Sequence, residues 1–480
     1  MTHKPHDRRK IRIGTLLLPL VLVAGCTQGP DYVRPQVAPP ASFRAQTSLN
    51  DAGSLADLPW WSVFNDPVLQ GVIDEALANN LDIQVAVARV EQARALVGVA
   101  KSEALPQLGY EALGGAQGTY LPLPNGARPI TYSGGGGGVS APWEIDIWGR
   151  IKRSTEAARA NLLAEEDVRK AGLLSLVSDV ATDYFELLSL DRQLEIAVQS
   201  AAVYKQNVDF FTLRYEAGRD TRLPVERARA NHAASLDRIA DLKKQIAQQE
   251  NILSVLVGAY PKAMPRGRVL TAQAMPATPP GATTALLQRR PDIQQAEQRM
   301  IAANAEVGVA AANYFPRIGL SAFVGGQAVN VSDAVDASFS VWNVAGTLAG
   351  PIFSGGRLKA TEANRRAYWD ETVALYRKTI LVAFRETSDA LVAQQALIDQ
   401  RAALETQVAA LQNSVDLAQL RYDAGRANYF EVLEAEQQLF PAQYTLARAQ
   451  RDQLVTVVFL YKALGGGWQL APEQWRRQGR

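Results

Sequence analysis

The sequence predicts a mainly α-helical chain made of a duplicated unit of helix, β-hairpin and long helical hairpin, whose strands complete a transmembrane β-barrel only in a homotrimer. Three observations predict it. The two halves of the 480 residues resemble each other at an offset of about 207 to 210. A stretch of about 65 residues, Ile151 to Ala217, holds no proline and a single glycine, Gly172. Two glycine- and aromatic-rich segments interrupt the helical pattern at matching places in both halves.

Taken in chain order, the first element is a leader. Lys4, Arg8, Arg9, Lys10 and Arg12 precede an apolar run, Ile13 to Ala24, too short to cross a bilayer, and Leu22 to Cys26 read Leu-Val-Ala-Gly-Cys. This is the pattern of a lipoprotein signal peptide over residues 1–25, with Cys26 as the acceptor of a diacylglyceryl group and, after cleavage, of an N-acyl chain. An ordinary signal peptide with an incidental cysteine, or an uncleaved anchor, are the other readings. Thr27 and Gln28 follow where an aspartate would resemble an inner-membrane retention signal, so outer-membrane sorting is expected. Each buried CH₂ of an acyl chain adds about 0.8 kcal/mol of membrane affinity, enough to anchor the chain to outer-membrane lipid but not to build a pore.

The formal charge is +2, and the leader carries five basic residues against Asp7, so the remainder is mildly acidic and no nucleic-acid partner is expected. His232 is the one histidine beyond the leader, and Cys26 is the only cysteine. Histidine- or thiol-based catalysis and an intrachain disulfide are thereby disfavoured; the expectation is a protein that is not an enzyme, with no metal and no cofactor beyond the lipid on Cys26.

Residues 26–80 read as an extended N-terminal segment and belt, 81–270 and 271–468 as two repeats, and 469–480 as a tail. The repeats align in order. Asp82-Ile83-Gln84 returns as Asp292-Ile293-Gln294, Val97 to Ala100 as Val307 to Ala310, and Pro106 as Pro316. Gly149 to Lys152 returns as Gly356 to Lys359, and Arg214 to Arg219 as Arg421 to Arg426. Pro291 fits the first residue of a helix, with Asp292 at the positive end of its dipole.

The helical hairpins are expected at about 150–258 and 356–465. A 65-residue helix would rise roughly 100 Å, far beyond the usual globular length, so it must pack lengthwise against neighbours. Val177, Val180, Tyr184, Leu187, Leu190, Leu194 and Val198 recur every 3.5 residues on average, the period of supercoiled helices, and Leu397, Leu404, Leu411, Val415 and Tyr422 form a second stripe. Gly218 and Gly425 fit left-handed helix ends, and Asn428 with Glu431 resembles a capping box whose counterpart begins at Thr221, with Pro224 in the opening turn.

The β-hairpins are expected at about 104–148 and 315–354, with strands Leu105–Gly118, Thr131–Ile147, Phe315–Val329 and Ser338–Phe353. Ile318, Leu320, Ala322 and Val324 alternate, and Tyr110, Tyr132, Trp143, Trp148, Phe315, Trp342 and Phe353 suit interfacial aromatic belts. Gly134 to Gly138 weaken the second strand, leaving a flexible loop there as an alternative. Four strands cannot close a membrane barrel, and an open edge in lipid strands backbone polar groups at several kcal/mol each; three copies supply about twelve strands and cyclic closure. A soluble β-subdomain capping a rod is the competing reading.

Taken with Gly29-Pro30-Asp31-Tyr32, Arg34-Pro35, Trp60-Trp61 with Phe64, Asp66, Pro67 and Leu69, Trp143 to Arg150, both Arg-Tyr-x-Ala-Gly turns and Lys462 to Trp468, nearly the whole chain resembles the TolC-type outer-membrane efflux proteins, in particular their lipoprotein branch serving RND-type pumps. The resemblance implies a homotrimer with a 12-strand outer-membrane barrel and a 12-helix periplasmic tunnel. It implies a duct that consumes no ATP, a periplasmic membrane-fusion adaptor as partner, and an inner-membrane RND-type transporter that supplies the energy.

It further implies an adaptor-docking tip at Arg214, Tyr215, Ala217, Gly218 and Arg219 and at Arg421, Tyr422, Ala424, Gly425 and Arg426. The same residues could serve only to shape a tight turn. The acidic ring at the closed aperture of relatives maps onto Asp416, with Gln412 one turn earlier and Asp209 as the duplicate of Asp416; a solvated helix-face aspartate is the alternative. Drugs or other small toxic compounds are the expected cargo, with metal-ion efflux, type I secretion or a non-pore coiled-coil rod as alternatives. Only four methionines are present, against the methionine-rich lumen that copper or silver would favour.

Overall fold

The computed structural model describes residues 27–46, 54–276, 278–328 and 340–466. Cys26 and the leader, as well as Val329, Ser338 and Trp468, lie outside the described residues. The element order is α1 (Trp60–Val63), α2 (Pro67–Asn79), α3 (Leu81–Ser102), β1 (Gly109–Leu123), β2 (Gly126–Ile145), α4 (Arg150–Glu216), α5 (Arg222–Leu256), α6 (Thr283–Arg289), α7 (Pro291–Ala312), β3 (Arg317–Ala328), β4 (Ser340–Ala349), α8 (Arg357–Asp423) and α9 (Tyr429–Ala463). The duplication extends to length: α3 and α7 have 22 residues each, α4 and α8 have 67, and α5 and α9 have 35. Two compact units draw on both halves, one from Met1–Pro35, Glu91–Ala164 and Glu297–Leu375, the other from Gln36–Val90, Glu165–Ala296 and Tyr376–Arg480.

The first unit contains one antiparallel sheet in the order β1-β2-β3-β4. Its strands differ from the expected ones. Residues 103–108 close α3 instead of opening a strand, with Ala104 N–H on Lys101 O (3.1 Å) and Leu105 N–H on Ser102 O (3.0 Å). The strands then run on to a two-residue turn, Pro124-Asn125, because Leu123 pairs with Gly126. At the other end β4 stops at Ala349: Pro351 has no ladder donor, and Gly350 lies where a Cβ would meet Pro316 Cα at 2.9 Å. The glycine run is no loop. Gly134 to Gly138 pair with Gly115 to Glu111 on one side, and Gly135 to Gly138 with Ala328 to Gly325 on the other, so both ladders hold the backbone that the missing side chains would leave free.

Strand register sorts the side chains into two faces. Tyr110, Val139, Ala141, Trp143, Ile145, Ile318, Leu320, Ala322, Val324, Trp342, Val344 and Leu348 share one face, whereas Glu111, Gln117, Thr119, Ser140, Glu144, Ser321, Asn343 and Thr347 share the other. The apolar face is bare in the protomer, with Tyr110 90% and Trp342 75% exposed. Of the expected belt aromatics, Trp148 and Phe315 stack on each other beyond the strand ends, with ring centroids 4.6 Å apart, and Trp148 Nε1 donates to Pro316 O at 2.8 Å.

The N-terminal segment is tied into this unit by polar contacts. Glu297 accepts from the Tyr32 hydroxyl at 3.0 Å and from both Nε and Nη2 of Arg34. Arg153, 4% exposed, donates to Asp31 Oδ1 (2.9 Å) and to the carbonyls of Gln28 and Pro30 (both 3.3 Å). A buried guanidinium needs such partners, since it cannot shed its charge.

In the second unit the long helices bury the expected stripe over part of its length. Val177, Val180, Tyr184, Leu187 and Leu190 are 5% exposed or less, but Val198 is 51% exposed and Ile196, Ala197 and Ala201 take the inward places. A helix of 3.6 residues per turn drifts off a 3.5-residue repeat, which accounts for the exchange. Leu190 and Ala197 pack on Leu242 of α5. Asp66, fully buried, organises the belt: it caps α2 through Val68 N–H (2.9 Å) and accepts from Gln273 Nε2 (2.8 Å), Arg268 N–H (3.2 Å) and the Tyr184 hydroxyl (3.2 Å). With Leu69 N–H at 3.4 Å as a fifth, donors from three parts of the chain let a carboxylate stay buried and pin the segments around α4.

Candidate functional site

The candidate site lies in the second unit, where α4 turns into α5 and α8 turns into α9. Each turn is the same Schellman motif. Gly218, at φ 66°, has its N–H on Tyr215 O (3.0 Å), and Arg219 N–H reaches Arg214 O (2.9 Å); Gly425, at φ 68°, has its N–H on Tyr422 O, and Arg426 N–H reaches Arg421 O, both 2.8 Å. A Cβ at either glycine would meet nothing within 4 Å, so backbone conformation, and not space, selects glycine here.

The starts of the returning helices depart from the expected capping box. Asn428 caps α9 by accepting from Phe430 N–H at 3.2 Å, but Glu431 turns away to pair with Arg421 at 2.9 Å. The arginine across the turn is a full charge and outcompetes one backbone donor. Thr221 holds the equivalent place without a side-chain capping bond, and Arg214 pairs with Asp220 at 3.3 Å. Both turns are thus cross-braced by an arginine-carboxylate pair, with the acid on different sides of the N-cap.

Between the turns sits an aromatic cluster. Phe210 stacks on Tyr429 with centroids 5.1 Å apart and meets Tyr422 edge-on at 5.8 Å, while Tyr422 and Tyr429 meet at 4.9 Å. The Arg214 guanidinium lies 5.7 Å from the Phe210 ring centre. Phe211 seals the inner side against Val225 and Ala228. A groove of about 650 Å³ opens beside the cluster, lined among others by Arg214, Arg219, Asp220, Tyr422, Gly425 and Tyr429.

Deeper still, the Tyr429 hydroxyl donates to Asn207 Oδ1, and Asn207 Nδ2 donates to Glu436 Oε2 at 3.0 Å. Glu436 is 7% exposed; burial pushes its carboxyl above the usual range, with the Asn207 amide pulling the other way. Burial likewise raises the Tyr429 hydroxyl and pushes that of Tyr204, whose ring meets Phe440 edge-on, up to about 12.

Of the residues expected at the tip, the structure gathers Arg214, Arg219, Tyr422 and Gly425 around the groove. Tyr215, the duplicate of Tyr422, is 46% exposed and lies outside the ring cluster; Ala217, Ala424 and Arg426 are exposed in the turns. Phe210, Phe211, Tyr429, Asn207 and Glu436 were missed by the sequence reading. The Phe210-Phe211 doublet beside an otherwise charged turn was the available signal; the partnership of Asn207 with Glu436, 229 positions away, has none.

The expected aperture residues differ between the repeats in a way their alignment explains. Asp209 is paired with Lys205 one turn earlier, at 2.5 Å. Residue 412 is the duplicate of 205 and is glutamine, so among the described residues Asp416 is met by the Gln412 amide, at 3.0 Å, and not by a lysine one turn earlier. Both carboxylates are exposed, and the second keeps a net negative charge where the first is neutralised by its lysine.

Comparison with known proteins follows the same partition. The family model described as "Outer membrane efflux protein" matches residues 72–259 and 283–466, one match per repeat. The "Cation efflux system protein CusC" of Escherichia coli O6:H1 is 33% identical over 451 residues, covering 93% of this chain and 97% of the relative. The "Solvent efflux pump outer membrane protein SrpC" of Pseudomonas putida is 34% identical over 461 residues, covering 94% and 97%. A crystal structure of CusC superposes with a TM-score of 0.82 at 33% identity, over 92% of this chain and all of that one.

Proposed function

Since this chain belongs to the outer membrane efflux protein family, we propose that it is a passive duct, without catalysis of its own, that carries drugs or other small toxic compounds out through the outer membrane. The chain is an outer-membrane channel component of a tripartite efflux system, and its fold is that of the trimeric channels of the family, a β-barrel with a helical tunnel. Three four-stranded sheets give the barrel twelve strands and remove every open edge. The observation that carries the reading is the sheet itself: four strands with an apolar face, duplicated in step with two 67-residue helices.

The finer assignments follow from the geometry. The cross-braced turns with their groove suit the docking of a periplasmic adaptor's helical hairpin, with Arg214, Tyr215, Ala217, Gly218 and Arg219, and their duplicates, as its footing. Asp416 with Gln412 suits the aperture better than Asp209, because only Asp416 lacks a lysine partner one turn away. Cys26 would carry the lipid anchor, and an inner-membrane RND-type transporter would drive the flux.

A second reading, metal-ion efflux, is favoured by the likeness to a cation efflux system protein. Deleting the gene and scoring growth on copper or silver salts against growth on dyes and organic solvents separates the cargoes. The duct itself is tested in planar bilayers: purified trimer is expected to give discrete single-channel currents, and a silent bilayer with folded trimer overturns the reading.

A further inference from the structure

A closed barrel takes two hairpins from each of three protomers, and every hairpin must pair with the next. Within a protomer that junction is β2 against β3, which runs down to the pair Ile145 and Ile318. Just past it Trp148 stacks on Phe315, with ring centroids 4.6 Å apart. Between protomers the junction joins β4 to β1 of the next copy, because these are the two open edges of the sheet. The flanks of both edges are bare and apolar: Leu105 and Leu108 before β1, and Ile352 and Phe353 after β4, are all exposed, Phe353 at 90%.

The duplication tells which of these residues meet. Pro106 recurs as Pro316, an offset of 210, and Gly149 as Gly356, an offset of 207. Moved by these offsets, the pair Gly109 and Ser140 of the first hairpin becomes Gly319 and Thr347, a pair that the second hairpin contains. The repeats therefore agree in strand register as well as in sequence. The same offsets carry Ile145 to Ile352, Ile318 back to Leu108 and Phe315 back to Leu105. Gln107 N–H reaches Pro142 O on β2 at 3.0 Å, so strand alternation turns the backbone of Leu108 toward the open edge. Two exchanges separate the junctions. The duplicate of Trp148 is Gly355, so the ring stack is lost; the duplicate of Asp146, whose carboxylate accepts from Lys152 N–H at 2.8 Å, is the exposed Phe353.

We propose that Ile352 and Phe353 of one protomer close on Leu105 and Leu108 of the next, an apolar clasp that fastens each seam between β4 and β1 at its periplasmic end. The proposal rests on the trimeric duct above and names the side chains that join its copies. Cross-strand apolar pairs are the unit of sheet stabilisation, and cyclic symmetry gives every protomer one half of the clasp at each edge.

Cys26 is the only cysteine of the chain, so engineered pairs can be read against it. In full-length chain from outer membranes, Leu108→Cys with Ile352→Cys is expected to give covalent dimers and trimers on denaturing gels after treatment with a short bis-maleimide. Neither substitution alone should do so. Ile145→Cys with Ile318→Cys serves as the control and should close within one chain, giving a shifted monomer. Assembled trimers in which the control pair closes and the 108 and 352 pair does not overturn the proposal. Where the cysteine pair fails to assemble, benzoyl-phenylalanine placed at position 353 decides. Irradiation should attach it to the peptide holding Leu105 and Leu108 of another copy, and attachment to phospholipid alone overturns the clasp. Ile352→Ser with Phe353→Ser should lower the temperature at which the trimer dissociates on gels, and an unchanged temperature counts against it equally. Failure of the wild-type chain to yield any trimer would instead refute the duct reading itself.

Discussion

Replacing Gly425 by alanine and by asparagine separates what the tip glycine does for the backbone from what it leaves exposed. At φ 68° an alanine pays the left-handed penalty of about 1–2 kcal/mol, and no clash adds to it because nothing lies within 4 Å of the new Cβ. The turn can hold its shape and carry that strain, or relax by giving up the two 2.8 Å bonds, Gly425 N–H to Tyr422 O and Arg426 N–H to Arg421 O. Relaxation moves Arg421 off Glu431 and reshapes the groove. At 1.4 kcal/mol per factor of ten, adaptor affinity should fall by about 5- to 30-fold for Gly425→Ala. Asparagine is similarly exposed yet tolerates the left-handed region, so Gly425→Asn should retain most of the affinity. Site-specific crosslinking to the cognate adaptor, titrated against purified trimer, measures both, and the heat-modifiable trimer on gels controls for assembly. Equal crosslinking for alanine and wild type refutes docking at this turn. An asparagine variant as weak as alanine refutes the backbone argument.

Removing the uncompensated charge by Asp416→Ala should raise closed-state conductance and antibiotic leakage, and an unchanged closed-state current would remove Asp416 from the aperture. Gln412→Lys installs in the second repeat the ion pair that Lys205 makes with Asp209, and should lower the channel's cation preference, read as a shift in reversal potential under a salt gradient. The buried carboxyl of Glu436 titrates above its ordinary 4.5, so the neutral form is the one that folding favours. Its contribution is full below that ordinary value and is lost as pH rises through the raised one. Glu436→Gln should therefore stabilise the protein near neutral pH but not in acid; thermal melts across that range would refute this by showing the same difference at both ends.

Much of this molecule is legible in its sequence because the deciding forces are local or periodic. The helical repeat of Val177 to Leu190, the turn glycines Gly218 and Gly425, and the order of the duplicated motifs follow from side-chain period and backbone permissiveness, which neighbouring residues set. The need for a homotrimer followed from counting strands against the demands of lipid. Only the tertiary structure decided the rest. Gly134 to Gly138 left a strand and a loop both open in the sequence because strand signals come from side chains, whereas pairing on both sides holds a strand through its backbone alone. Glu431 left its cap for Arg421, and Glu436 found Asn207 from the other repeat, because such polar partners are chosen by which helices pack together. Charge and hydrogen-bond satisfaction act through space over a few ångströms, and no spacing along the chain encodes them until the fold has brought the groups within reach.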